Sequence, residues 1–213
     1  MTRNQVRNIL NASRRDLGSM LFHFTQAQYA NPLVNQTGLS AYDRLRKILR
    51  EGCLNGAAGN IKGSHQCVCF TEAPIGEIGP FFKMVNAADP TLVRYQPYGI
   101  AVSKNWLFAQ GGRPVIYQPV AEYDHLPPSH QWRHVSYAPP ETDFAWEREW
   151  RIKTPQLQIT PNDCIVVVPT AREAHGINYE LSQISYGTNQ QTGQQIIYSN
   201  ATWVAVSLDL YGL

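Results

Sequence analysis

The chain of 213 residues, 43% hydrophobic and 11% aromatic, has the length and composition of one folded domain, able to bury about 70% of its unfolded surface, and global disorder is excluded. No run approaches the roughly 18 apolar residues of a membrane span and the N-terminal stretch lacks an apolar signal core, so a cytoplasmic protein with no membrane partner is expected. The net charge of +2 divides unevenly: residues 1–50 carry eight Lys/Arg against two Asp/Glu, the rest ten against fourteen, a basic head that suits a polyanion such as nucleic acid. A solvated helix face would account equally well for Arg44, Arg46, Lys47 and Arg50.

In chain order, the first dozen residues have the pattern of a short amphipathic helix, and Met20 to Thr25 (MLFHFT) that of a buried strand with one polar interruption. Ser40 is placed to cap a helix running to about Glu51, with Tyr42, Leu45, Ile48 and Leu49 at helical spacing and Gly52 as its stop. Strands follow at Gln66 to Thr71 and Tyr98 to Ser103, a helical turn at Asn105 to Gln110 closed by Gly111 and Gly112, and a strand at Pro114 to Gln118. The Pro-rich segment from His125 to Pro140 reads as loop with some helix. Ala145 to Lys153 (AWEREWRIK) alternates as a strand does. Further strands are expected at Cys164 to Pro169 and Thr202 to Leu208, a helix at Glu173 to Gln183, and a hairpin loop at Gly187 to Gln195. Strands outnumber helices without strict alternation, which predicts a single α+β domain with a mixed or largely antiparallel sheet.

P-loop, dinucleotide-binding, nucleophile-elbow and zincin motifs are absent from the sequence. His65, Cys67 and Cys69 would share one strand face with Cys53 nearby, but C-x-C with one His is not a usual zinc spacing, and reduced core thiols are the plainer reading. Three clusters remain. His23 sits between Phe22 and Phe24, which leave the opposite strand face, so its ring can enter a cleft while they pack. The segment CVCFTEAP ends a strand in Thr71 and Glu72 before Pro74, which places polar groups at a sheet rim, although an ordinary strand-to-loop exit has the same pattern and is the plainer reading of the segment alone. Glu147 and Glu149, two apart on a strand, would leave one face about 7 Å apart, with Trp146, Trp150 and Ile152 on the other. Arg148 would point away, while Arg151 shares the glutamates' face and can pair with Glu149; a solvated strand face with a salt bridge has the same spacing.

In this order, LFHFT, ILREG, VCFTEAP, YGIAVSKNW, RPVIY and EREWRI resemble the AbiGi-type abortive-infection proteins of bacteria, over about residues 20 to 153. The pattern is also similar, more distantly, to the ADP-ribosyltransferase-like fold that includes DarT-type nucleic-acid-modifying toxins, a split pair of sheets gripping NAD. The resemblance implies His23, with Phe24 and Thr25, on the first strand, Phe70 and Thr71 on the middle strand, and Glu149 on the late strand with Glu147 as the extra acid. It also implies an Arg after the first strand, for which Arg44, Arg46 and Arg50 are the candidates and Arg46 is favoured.

The chemistry that follows from this resemblance is transfer of ADP-ribose from NAD, with NAD as substrate and no metal. Glu149 would stabilise the oxocarbenium character at the ribose. His23 would hold the ribose through a ring nitrogen, Tyr95, Tyr98 or Phe81 would stack on the nicotinamide, with Tyr98 favoured, and Glu147 would orient or deprotonate the acceptor. The expected function is a toxin of anti-phage defence acting on nucleic acid, RNA ahead of DNA, and restrained by an antitoxin. The alternatives are a non-catalytic antitoxin-like or nucleic-acid- or protein-binding module, and an NAD glycohydrolase.

Overall fold

Strand and helix signals of the sequence assemble around one mixed sheet in the computed structural model, which describes residues 18–26, 38–59, 61–78, 96–181, 184–189, 191–199 and 203–211. The helix expected at the N-terminus, and Phe81 and Tyr95, lie outside the described residues. The strands that form the sheet are β1 (Met20–Phe24), β3 (Cys67–Thr71), β4 (Gly99–Ser103), β5 (Arg113–Pro114), β8 (Glu149–Lys153), β10 (Cys164–Val168) and β13 (Ala205–Ser207). Their order is β13-β10-β4-β1-β3-β8-β5, and every pairing is antiparallel except β10 with β13.

Three two-stranded pairs flank it: β2 (Cys53–Asn55) with β9 (Gln156–Gln158), β6 (Ile116–Gln118) with β7 (His134–Ser136), and β11 (Ile184–Thr188) with β12 (Gln195–Ser199). The α+β class with a largely antiparallel sheet is therefore as the sequence predicts. β2, β7 and β9 are three-residue strands that its periodicity does not reveal.

Among the described residues the α-helices include α1 (Ala41–Glu51), α2 (Lys104–Ala109) and α3 (Ala171–Leu181). Ser40 caps α1 by accepting the Asp43 backbone N–H, and Gly52 ends it in the left-handed region at φ 63°, a conformation that costs glycine least. Leu45 and Leu49 of α1 and Ile177 of α3 are buried against one face of the sheet with Leu21, Val68, Phe70, Ile100, Val102, Trp150, Ile152, Val166 and Val168. Each such side chain contributes about 1.5–3 kcal/mol of burial. The other face is covered in two patches, one around Phe24, Ala101 and Val167 and one around Ile61, Cys67 and Trp132.

The sheet comes apart near its middle. β1 and β4 pair over five residues, and so do β3 and β8, but β1 meets β3 at a single pair, Phe22 with Thr71. Gly99 holds β1 on the other side: a Cβ there would lie 2.2 Å from the His23 carbonyl oxygen, so only glycine lets β4 approach His23 this closely.

Candidate active site

The parting of β1 from β3 leaves a ladder carbonyl without a backbone donor, and His23 supplies one. Its Nδ1 lies 2.8 Å from the Cys69 carbonyl oxygen. A carbonyl only accepts, so Nδ1 carries the proton and the neutral ring keeps its lone pair at Nε2. Burial holds the imidazole below its usual value of 6.5, and the charge of Arg44 acts in the same direction against the hydrogen bond to Cys69.

Strand alternation alone would put His23 on the face of Leu21 and Glu149 on the opposite face from Trp150. The gap between the sheet halves overrides that parity, and both residues line one cleft of about 500 Å³. Its walls include Phe24, Gln26, Arg44, Cys69 and Ser136 beside His23, Glu147, Glu149 and Arg151. The volume is that of a small-molecule site, about 300–1,000 Å³. Two other depressions, of about 570 Å³ near His65 and Lys153 and about 530 Å³ near Gln110 and Gln158, have no carboxylate in their walls.

Glu149 is gripped by a buried arginine. Arg151 Nε donates to Glu149 Oε1 at 2.7 Å and Nη2 to Oε2 at 3.2 Å, while Nη1 donates to the carbonyls of Trp132 at 3.1 Å and His134 at 2.9 Å. The side chains are only 6% and 13% exposed, so the fork fixes both carboxylate oxygens and ties β8 to the segment that leads into β7. Burial opposes the charge on Arg151, but the neighbouring carboxylate outweighs it and raises its pKa. Beside this pair, burial, with Glu149 adding, pushes the Cys69 thiol far up, which favours the thiol over the nucleophilic thiolate.

Glu147 reaches the cleft by a different route from the one its spacing suggests. The strand begins only at Glu149; Ala145–Glu147 form a 3-10 turn, and Arg148 takes the left-handed region at φ 46°. Three contacts hold this turn: the Thr71 hydroxyl donates to the Glu147 carbonyl, the Glu72 N–H to the Arg148 carbonyl at 3.3 Å, and the Glu149 N–H to Tyr117 Oη at 2.9 Å. Consequently Trp146 does not cover the back of a strand with Trp150 and Ile152 but lies 43% exposed.

The remaining expected site residues divide. Phe24 lines the cleft. Phe70 is core, its ring 5.7 Å from that of His23. Thr25 is a buried tie, its hydroxyl shared between the carbonyls of Ala41 and Tyr98, each at 2.9 Å. Arg46 is placed away from the cleft walls and is paired with Asp43 and Glu180; Tyr98 is likewise outside them, donating to Glu173 at 2.6 Å.

Of the three arginine candidates on α1, the one in the cleft is Arg44, half-buried, with Nη1 on the Gln26 carbonyl at 3.0 Å and no carboxylate partner among the described residues. Arg44, Cys69, Ser136 and Arg151 complete the site; of these, sequence alternation reveals the Arg151 pairing and nothing local singles out Ser136. Among the described residues no group of three His, Cys, Asp or Glu gathers to hold a metal, and no helix is long and apolar enough to cross a membrane. No protein-family model matches the chain, and neither curated proteins nor solved structures give a significant match.

Proposed function

We propose that the protein is an NAD-dependent ADP-ribosyltransferase, a toxin of bacterial anti-phage defence that modifies nucleic acid, RNA ahead of DNA, and is kept in check by an antitoxin. The observation that carries the reading is the convergence of His23, Arg44, Glu147 and Glu149 on one cleft at the parting of the sheet. The AbiGi- and DarT-like order of motifs supplies the chemical class.

In this mechanism the N-glycosidic bond of NAD breaks and its electron pair leaves with neutral nicotinamide, so positive charge develops on the ribose. Glu149, oriented by the Arg151 fork, faces that charge. The lone pair at His23 Nε2 accepts a hydrogen bond from a ribose hydroxyl. Arg44 takes the pyrophosphate, in place of Arg46, the arginine that the resemblance favoured for NAD. The acceptor attacks the ribose carbon, and Glu147 takes up its proton.

Incubation of the full chain with radiolabelled NAD and separate RNA, DNA and protein pools tests the proposal. Label should enter RNA, and Glu149→Gln should lower transfer by at least about a hundredfold, the scale of losing a group that stabilises transition-state charge. Transfer retained in that variant would reject the mechanism. Loss of NAD without labelled macromolecules would identify a glycohydrolase.

A further inference from the structure

The basic head that suggested a polyanionic partner is largely neutralised where the structure describes it. Arg46 and Arg50 share Glu180, Arg46 also holds Asp43, and Lys47 lies 3.8 Å from Glu51. Besides Arg44 in the cleft, positive charge without acid partners among the described residues occurs at the outer end of the sheet, one strand from Glu149. β5 pairs with β8 there, Arg113 opposite Arg151 and Pro114 opposite Trp150, and the Val115 N–H donates to the Glu149 carbonyl at 3.0 Å.

Two guanidiniums are anchored beside this strand. Arg113 Nη1 donates to the carbonyls of Gly112 at 2.7 Å and Phe108 at 2.9 Å, and Arg133 Nε donates to the Pro114 carbonyl at 2.9 Å. Their anchor points on Gly112 and Pro114 are two residues apart, about 7 Å along extended chain. Neither has a carboxylate partner among the described residues. The Arg113 guanidinium lies 3.9 Å from the centre of the Phe108 ring, and Phe108 remains 52% exposed. Burial, with the charge of Arg113 adding, depresses Arg133, so the two guanidiniums are near enough to repel one another.

We infer that Arg113, Arg133 and Phe108 form the docking surface for the acceptor strand, the two guanidiniums on successive phosphates of single-stranded RNA and the open ring stacking a base. This deepens the nucleic-acid reading of the same site and rests on it for the ligand class. Arginine at a free strand edge also discourages edge-to-edge pairing, but that role needs neither an adjacent second guanidinium nor an exposed aromatic. A charged track with an aromatic platform is the recognition chemistry of single strands. Arg133 immediately precedes His134, a cleft-wall residue, so a bound strand would lead toward Glu149.

The test is fluorescence anisotropy of a labelled single-stranded RNA of about 12 nucleotides on the full chain, without NAD, across a salt series. The wild type should bind with strong salt dependence. Arg113→Gln with Arg133→Gln should flatten the slope of log affinity against log salt by about 1.4, for two phosphates on a single strand. Arg113→Lys with Arg133→Lys should keep the slope, which a purely structural role would not predict. Equal slopes for wild type and the Gln pair would overturn the docking surface while leaving NAD-dependent labelling of RNA intact. No RNA binding by the wild type would overturn the surface as well, and protein labelling in the transfer assay would then remove its ligand class.

Discussion

Arg151 decides what a substitution at Glu149 does. Its guanidinium is buried and fully committed to Glu149 and two carbonyls. Glu149→Ala leaves that charge unpaired in the interior and should cost about 3–5 kcal/mol by denaturant unfolding. Glu149→Gln, which keeps the shape and an acceptor for the fork, is therefore the substitution that tests the chemistry. His23 gives a second residue-level prediction. Its folded pKa lies below the 6.5 of the unfolded chain, so between those values the unfolded state binds more protons. Stability should be flat above pH 6.5 in this respect and fall as pH drops through that window. His23→Gln should flatten the decline, read as unfolding midpoint against pH. An unchanged pH profile would mean that the ring is not held neutral.

Among the elements, the turn into β8 shows the limits of local pattern. Alternation places Glu149, Trp150, Arg151 and Ile152 correctly, and with them the Arg151 pairing. It fails at Glu147 because Arg148 adopts φ 46°, a state no arginine prefers and one imposed by contacts from Thr71, Glu72 and Tyr117, distant in sequence. Replacement of Arg148 by Gly and by Val removes the same side chain, so their difference isolates the backbone. Gly should be the more stable variant by about 1–2 kcal/mol in thermal or denaturant unfolding; equal stability would argue against a left-handed residue.

The α1 register was legible from Ser40, Leu45, Leu49 and Gly52. Which of its arginines enters the cleft was not, since Arg46 is drawn aside by Glu180, 134 residues away. β2, β7 and β9 escaped notice because three residues give no measurable period. Gly99 carries a further prediction: Gly99→Ala drives a Cβ into the His23 carbonyl, and the strained β1–β4 contact should cost about 1–3 kcal/mol and displace His23, read as lost stability together with lost transfer activity.

At the scale of the molecule, the candidate site lies where the seven-stranded sheet is joined by the fewest paired residues. One half carries His23, the other carries Glu149, and a single residue pair joins β1 to β3. That arrangement is long-range pairing, invisible to any window of sequence, although the residues on either side of the gap were recognisable. A ligand that bridges the halves stabilises the whole chain. On the proposed mechanism Glu149→Gln consumes NAD only slowly, and NAD at about a hundred times its dissociation constant should add about 2.7 kcal/mol to unfolding of that variant. The most direct measurement is the nuclear magnetic resonance signal of the His23 ring nitrogens in that variant as NAD is titrated. Saturable movement of the Nε2 signal, with Nδ1 still protonated against Cys69, is expected. A His23 ring that stays unmoved at saturating NAD would contradict a dinucleotide site between the two halves of the sheet.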